Sequence, residues 1–183
     1  PGQGDPGFKV PAEIRRDFIH VKGALSAARQ GDNTNPNRES SGSQFYLVQG
    51  RTFTDEALDQ FEARINQDIR NQMMRSFFDA EENAEYRNRL QVCQMEKDQA
   101  AIKVLLEEVN PIVDAKMGDK KFTYTPEERE LYKTIGGTPH LDMQYTVFGM
   151  VTEGIEVIDR IASVPKQGER PITPSRMVMS LVE

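Results

Sequence analysis

Cysteine, histidine and tryptophan are scarce in this sequence, and the shortage excludes several classes of protein. The 183 residues contain one cysteine (Cys93), two histidines and no tryptophan. A single cysteine cannot form a disulfide within the chain, so a disulfide-stabilised scaffold is excluded and Cys93 is expected to be a buried structural thiol. His20 and His140 stand far apart, and there is no CxxC motif, which argues against a zinc site.

Long apolar runs and an excess of basic residues are also missing. No apolar run approaches the length that crosses a bilayer, so we expect no membrane span. The net charge is −6, which argues against a nucleic-acid-binding surface because such surfaces need clustered Lys and Arg. Hydrophobic residues still make up 37% of the chain, which is enough to form a core.

Glycine and proline are absent from residues 51–110, and this absence predicts helices. Apolar residues there recur at three- and four-residue steps, first from Leu58 to Phe77 and then from Leu90 to Val109. We predict a helical hairpin whose second helix ends before Pro111, with the apolar stripe as the seam between the two helices. The segment TPEE at 125–128 predicts the start of a short third helix.

Short apolar stretches bounded by Gly, Asn and Ser flank this helical part and predict strands at 22–29, 43–48, 145–150 and 176–182. Residues 154–164 predict a short amphipathic helix. We expect an antiparallel β framework from 1–50 and 138–183, interrupted by a mostly helical insertion at 51–137. Val48 and Val147 would then belong to one sheet, which long surface insertions permit at little entropic cost.

Three segments together resemble cyclophilins, the cyclophilin-type peptidyl-prolyl cis–trans isomerases. They are KGALSAAR at 22–29, SGSQFYLV at 41–48 and HLDMQYTVFG at 140–149, and the opening GQGDPG at 2–7 agrees with them. The resemblance covers 1–50 and 138–183 and implies a mainly β, α+β fold. This fold is a cyclophilin-like antiparallel β-barrel, incomplete at its N-terminus, with a long α-helical hairpin insertion. The insertion favours a bacterial source and an envelope or periplasmic protein.

The resemblance implies catalysis of rotation about Xaa–Pro bonds in polypeptides, with no metal or cofactor. Amide resonance makes the uncatalysed rotation slow, so a catalyst must hold proline in an apolar pocket and stabilise the twisted amide. The expected partners are proline-containing polypeptides, not nucleic acid. A homo-oligomer, including one formed by strand exchange, is also possible.

The resemblance assigns eight residues to this site. Gln44 is expected to orient the substrate, and the substrate-binding residues are expected to be Ala28, Arg29, Gln30, Tyr46, His140, Leu141 and Tyr145. Strand alternation places Gln44 and Tyr46 on one face and Phe45 on the other, toward the barrel core. Two alternatives stay open: Leu141 as an ordinary core residue, and Gln44 as a partner of buried backbone groups.

The family segment that carries the catalytic arginine precedes, in relatives, the loop at which this chain begins. Either the chain is a fragment, or its first strands are unobserved or supplied by another molecule. We therefore expect the 183 residues alone to be inactive or weakly active. A non-catalytic cyclophilin-like binding module is the alternative, and the acidic hairpin could serve as a chaperone arm or a dimer seam.

Overall fold

The computed structural model describes residues 6–168 and 170–181. The chain divides into two compact units, a mixed unit of Pro1–Asp55 with Pro126–Glu183 and a helical unit of Glu56–Thr125. The insertion boundaries expected from the sequence, 51 and 137, stay a prediction. Residues 2–5 of the opening motif and Val182 lie outside the described residues.

The mixed unit contains short antiparallel strands. They are β1 (Lys9–Val10), β2 (Ala24–Ala27), β3 (Ser40–Ser41), β4 (Phe45–Leu47), β5 (Val147–Met150), β6 (Lys166–Gln167) and β7 (Arg170–Pro171). β2 lies between β4 and β5 in a three-stranded sheet, while β1 pairs with β3 and β6 with β7. The predicted mixture of helix and strand is confirmed. Within residues 6–168 and 170–181 the strands do not close a barrel, so the barrel stays a proposal.

The three-stranded sheet buries one of its faces. Ala24, Val48 and Val147 form a buried cluster there, and Tyr46 packs against them. Val48 donates its backbone N–H to the Ala24 carbonyl, so it lies beside β2 while Val147 begins β5, the adjacency that the sequence predicts. Phe45, on the opposite face, leaves 36% of its surface exposed, so the core burial expected for it is not seen in the described residues.

The residues at the two ends of the mostly helical segment lie next to each other. Arg51 and Gly137 form an antiparallel bridge, with backbone N–H to carbonyl distances of 3.1 and 2.9 Å. Gly50 has a positive φ of 63°, and a Cβ there would collide with the backbone of Gly137. Glycine is therefore required at position 50 both for its conformation and for this close approach.

Five α-helices lie in the described residues: α1 (Asp55–Asp79), α2 (Ala84–Met95), α3 (Gln99–Met117), α4 (Pro126–Thr134) and α5 (Glu156–Ala162). Single-turn 3₁₀ helices occupy Glu81–Asn83, Gly118–Lys120 and Pro139–Leu141. The starts at Pro126 and near residue 154 agree with the sequence pattern. None of the described helices is long and apolar enough to cross a membrane.

The second apolar stripe forms two helices instead of one. The chain breaks between α2 and α3 at Lys97, whose φ is 56°, and the Asp98 carboxylate caps α3 by accepting the Ala101 N–H at 2.9 Å. The predicted end before Pro111 is wrong, because α3 continues through it to Met117. Burial of the α3 stripe in a cluster with Phe77 offsets the helix-breaking cost of proline, about 3 kcal/mol.

The predicted C-terminal strand is absent from residues 176–181, which the structure describes as irregular chain. Val178 is 96% exposed. The short apolar stretch indicated a strand, but a strand needs a hydrogen-bonded neighbour, and the described part of the chain places none beside this segment.

Candidate functional site

A cleft of about 300 Å³ lies beside the three-stranded sheet. Five residues line it: Ala28, Arg29, Tyr46, Leu141 and Tyr145. All five belong to the eight that the sequence assigns to the site. They come from the segment after β2, from β4 and from the segment before β5, so the fold brings together residues more than a hundred positions apart in the chain.

Two tyrosines form the aromatic part of the cleft. The Tyr46 and Tyr145 rings meet edge to face with centroids 5.9 Å apart. Burial raises the pKa of Tyr46 to about 12, and the Ser26 hydroxyl facing it lowers that pKa by less. The Tyr46 phenol therefore keeps its proton to a higher pH than a free tyrosine does.

The Arg29 side chain contacts both of the chain segments that form opposite walls of the cleft. Its side chain is 5% exposed. Its Nε donates to the Gln144 carbonyl at 2.8 Å, and its guanidinium carbon lies 4.8 Å from the Tyr145 ring centroid. These contacts join the segment after β2 to the segment before β5, and a cation over an aromatic face holds the ring in place.

The loop between β2 and β3 is held by a charged cluster next to Arg29. The Asp32 carboxylate accepts from Arg29 Nη1 and from Arg38 Nη2, both at 2.7 Å. Partial burial raises the pKa of Asp32, but the hydrogen bonds from Arg38 and Arg29 outweigh burial and lower it overall. The Arg38 Nη1 also donates to the Met143 carbonyl at 3.3 Å, which adds a second tie to the segment before β5.

Behind the cleft lies a buried polar network of His20, Tyr132 and Asp142. Asp142 Oδ1 accepts the His20 backbone N–H at 2.7 Å and His20 Nδ1–H at 2.9 Å, and Asp142 Oδ2 accepts the Tyr132 hydroxyl at 2.6 Å. Each of the three residues is 1% exposed or less. The sequence reasoning missed this network, and the only signals were a histidine before a strand and an aspartate directly after Leu141.

Three predicted site residues lie outside the lining of the cleft. Gln44 contacts the segment after β2 through its backbone, because its carbonyl accepts the Ala28 N–H at 3.0 Å. Gln30 is exposed, and its side-chain oxygen accepts from Lys9 Nζ at 3.2 Å. His140 is exposed on the 3₁₀ helix that carries Leu141. The roles of Gln30, Gln44 and His140 stay predictions.

The cleft offers aromatic and aliphatic surface bordered by backbone groups, a combination that suits a small apolar ring attached to a peptide. In the described part of the chain, no three His, Cys, Asp or Glu side chains are grouped so that they could hold a metal ion.

Comparison of the sequence with known families gives a match over part of the chain. Residues 122–182 match the family described as cyclophilin type peptidyl-prolyl cis-trans isomerase/CLD. Over these residues the chain is similar to that family. The matched region includes Leu141 and Tyr145, whereas Ala28, Arg29 and Tyr46 lie outside it.

Several vertebrate proteins are similar to short parts of this chain. The human protein named probable inactive peptidyl-prolyl cis-trans isomerase-like 6 is 41% identical over 51 residues, which is 28% of this chain and 16% of the relative. The chicken peptidyl-prolyl cis-trans isomerase-like 3 is 47% identical over 36 residues, 20% of this chain and 22% of the relative. The chain thus spans less than a quarter of either relative. No solved structure matches the chain.

Proposed function

We propose that this chain binds Xaa–Pro segments of polypeptides in the cleft and catalyses their cis–trans isomerisation, within a cyclophilin-like barrel that carries a helical insertion. The observation that supports the proposal is the cleft itself. Five residues expected to contact substrate, from three separate segments, line one cavity.

The side chains suit the parts of a prolyl peptide. The proline ring would lie against Leu141 and the Tyr46 and Tyr145 rings, where burial of apolar surface contributes about 25 cal/mol per Å². The backbone beside Ala28 would run along the peptide. Rotation is accelerated only by groups that bind the twisted amide better than the planar one. The apolar walls therefore position the proline, and a hydrogen-bond donor must stabilise the twisted amide.

A binding function without catalysis is the second candidate, and the position of Arg29 favours it. Three hydrogen bonds of its guanidinium go to Gln30, Asp32 and Gln144, and the side chain is 5% exposed. This cation is therefore used in holding the cleft and is not directed at a bound amide. The human and bovine relatives named as probable inactive isomerases agree with such a function.

Titration with a short Xaa–Pro peptide, followed by NMR of the labelled protein, tests both candidates. We expect shifts at Tyr46, Leu141 and Tyr145, and none with a peptide that has alanine in place of proline. Leu141→Ala should weaken binding about tenfold or more, because it removes buried apolar contact. Leu131→Ala is the matched control, since Leu131 is an exposed leucine on α4 outside the cleft.

Exchange spectroscopy on the same samples separates the two candidates. Faster cis–trans exchange of the peptide in the presence of the protein, reduced by Leu141→Ala, supports the isomerase. Binding at the cleft without faster exchange supports the binding module. Peptide shifts confined to other residues would refute both.

A further inference from the structure

His20 holds both ends of the 3₁₀ helix that carries Leu141. At the start of this helix, the Thr138 N–H donates to the His20 carbonyl at 2.8 Å. At its end, the Asp142 carboxylate accepts both the backbone N–H and the ring Nδ1–H of His20. One buried residue thus fixes the turn on which a cleft wall stands.

Tyr132 holds the same turn from the other side. Its hydroxyl donates to Asp142 Oδ2 at 2.6 Å, so both carboxylate oxygens of Asp142 are occupied. A carboxylate buried to this degree is retained only when its oxygens are hydrogen-bonded, because the desolvation cost is otherwise large. The position of Asp142, and of Leu141 directly before it, therefore depends on these donors.

His20 also supports the opposite wall of the cleft. Its ring stacks against the Tyr46 ring with centroids 6.3 Å apart and planes 14° apart. Nδ1–H is committed to Asp142, and Nε2 is buried without a hydrogen-bond partner among the residues that the structure describes. The ring face therefore packs against Tyr46, while Nδ1–H is hydrogen-bonded to Asp142, so the two contacts use different atoms of His20.

We propose that His20, Asp142 and Tyr132 are positioning residues that set the separation of the Tyr46 and Leu141 walls, and thereby the fit of the cleft to a proline ring. This inference rests on the proposed function for its ligand. The two roles of His20 make it testable, because the two walls can be loosened one at a time.

Two substitutions test the two walls of the cleft one at a time. His20→Asn places an amide N–H where Nδ1–H stood, so it keeps the donor to Asp142 and removes the ring against Tyr46. Tyr132→Phe keeps the size of the ring and removes only the donor to Asp142 Oδ2. Ile158→Ala on α5 is the control for general destabilisation of the mixed unit, because Ile158 is buried and does not line the cleft.

The measurement is NMR relaxation dispersion at the Leu141 methyls and the Tyr46 ring, which detects microsecond-to-millisecond motion. We expect His20→Asn to increase exchange at Tyr46 alone and Tyr132→Phe to increase it at Leu141 alone. Each should weaken Xaa–Pro peptide binding about three- to tenfold, the range for loss of one supporting contact. The control should change neither wall selectively.

Equal changes at both walls, or no change at either, would overturn the inference. Should His20→Asn fail to fold, Tyr132→Phe decides alone: exchange at Leu141 without exchange at Tyr46 supports the proposal, and any other pattern refutes it. If the unaltered protein binds no Xaa–Pro peptide, the proposed function fails, while the two relaxation measurements still decide whether the network positions the walls.

Discussion

Replacement of Arg29 tests whether the cleft depends on one buried cation. Arg29→Met keeps the apolar stem and removes the guanidinium, which makes three hydrogen bonds and lies over the Tyr145 ring. Asp32 keeps its bonds from Arg38, so the substitution leaves no unpaired carboxylate. What is lost is the tie between the segment after β2 and the segment before β5.

The magnitude follows from these contacts. A hydrogen bond from a charged group contributes about 1.5–3 kcal/mol, and a desolvated cation–π contact about 1–2 kcal/mol. The terms are not additive, and release of the guanidinium from a buried site offsets part of them. We therefore expect the free energy of unfolding of the mixed unit to fall by about 2–4 kcal/mol, a decrease of roughly 5–15 °C in melting temperature.

Urea unfolding followed by tyrosine fluorescence, with thermal unfolding beside it, measures this loss. Arg29→Lys should recover only part of it, because a lysine ammonium cannot reproduce the guanidinium fork. Arg89→Met is the matched control: Arg89 forms an exposed ion pair with Glu108 on the helical unit, and its loss should leave stability unchanged. A loss below about 1 kcal/mol for Arg29→Met would refute the reasoning.

Three other substitutions or conditions give distinct expectations. The Tyr46 hydroxyl is buried and faces the Ser26 hydroxyl, but their geometry is not that of a hydrogen bond. Thermal unfolding of Tyr46→Phe should therefore show a stability gain of up to about 1 kcal/mol; a loss would mean that the two hydroxyls are bonded. Because the Tyr46 pKa is raised from 10.0 to about 12, the unfolded chain releases this proton first, and stability should fall as pH rises through that window, more steeply in the unaltered protein than in Tyr46→Phe. Asn66→Ala removes the two buried hydrogen bonds that the Asn66 side chain makes with the backbone of Phe122. Hydrogen exchange should then show a loss of about 2–4 kcal/mol in the helical unit, while the cleft residues keep their protection.

The elements that local physics determines were predictable. The apolar period from Leu58 to Phe77 matches α1, and the cap before Pro126 matches α4, because periodicity and capping act within one turn of helix. The break at Lys97 was not predictable from the absence of Gly and Pro. It depends on a positive φ at a lysine and on an aspartate cap, and both are weak signals in a sequence.

Tertiary context decided the end of α3 and the form of residues 176–181, both of which were predicted wrongly. Pro111 lies inside α3 because burial of Val109 and Val113 outweighs the missing backbone hydrogen bond. The segment 176–181 has the apolar residues of a strand, but it is exposed and pairs with no strand among the described residues. A local pattern indicates what a segment can form, and its partner decides whether it does.

Only the cleft residues in the segments that resemble cyclophilins could be predicted from the sequence. The cleft residues follow from the resemblance, whereas His20 and Tyr132 carry no motif and enter through contacts with Asp142, 122 and 10 positions away. Tyr132 lies on α4, within the region that the sequence assigned to the insertion. A deletion of the insertion must therefore keep Tyr132 if the hydrogen bond to Asp142 is to remain.

Two deletions that differ by ten residues should therefore behave differently. Replacing 56–125 with a short Gly/Ser linker keeps α4 and its hydrogen bond to Asp142. The ends to be joined are held near each other, since Lys133 Nζ and Arg129 Nη1 on α4 lie 3.1 and 3.4 Å from oxygens of Asp55. A short linker then closes the gap at small entropic cost.

Deleting 55–134 instead removes Tyr132 and its hydrogen bond to the buried Asp142 carboxylate, a loss of about 1–3 kcal/mol or more for a charged group. We expect the shorter deletion to keep peptide binding and Leu141 order, and the longer one to lose both. The comparison is made by the same NMR titration on the two proteins. If both deletions bind equally well, Tyr132 does not position the cleft, and the functional limit of the insertion lies at residue 137 as the sequence pattern suggests. If only the protein with the shorter deletion binds the peptide, the cleft needs the hydrogen bond that α4 supplies, and α4 belongs functionally to the unit that carries the cleft.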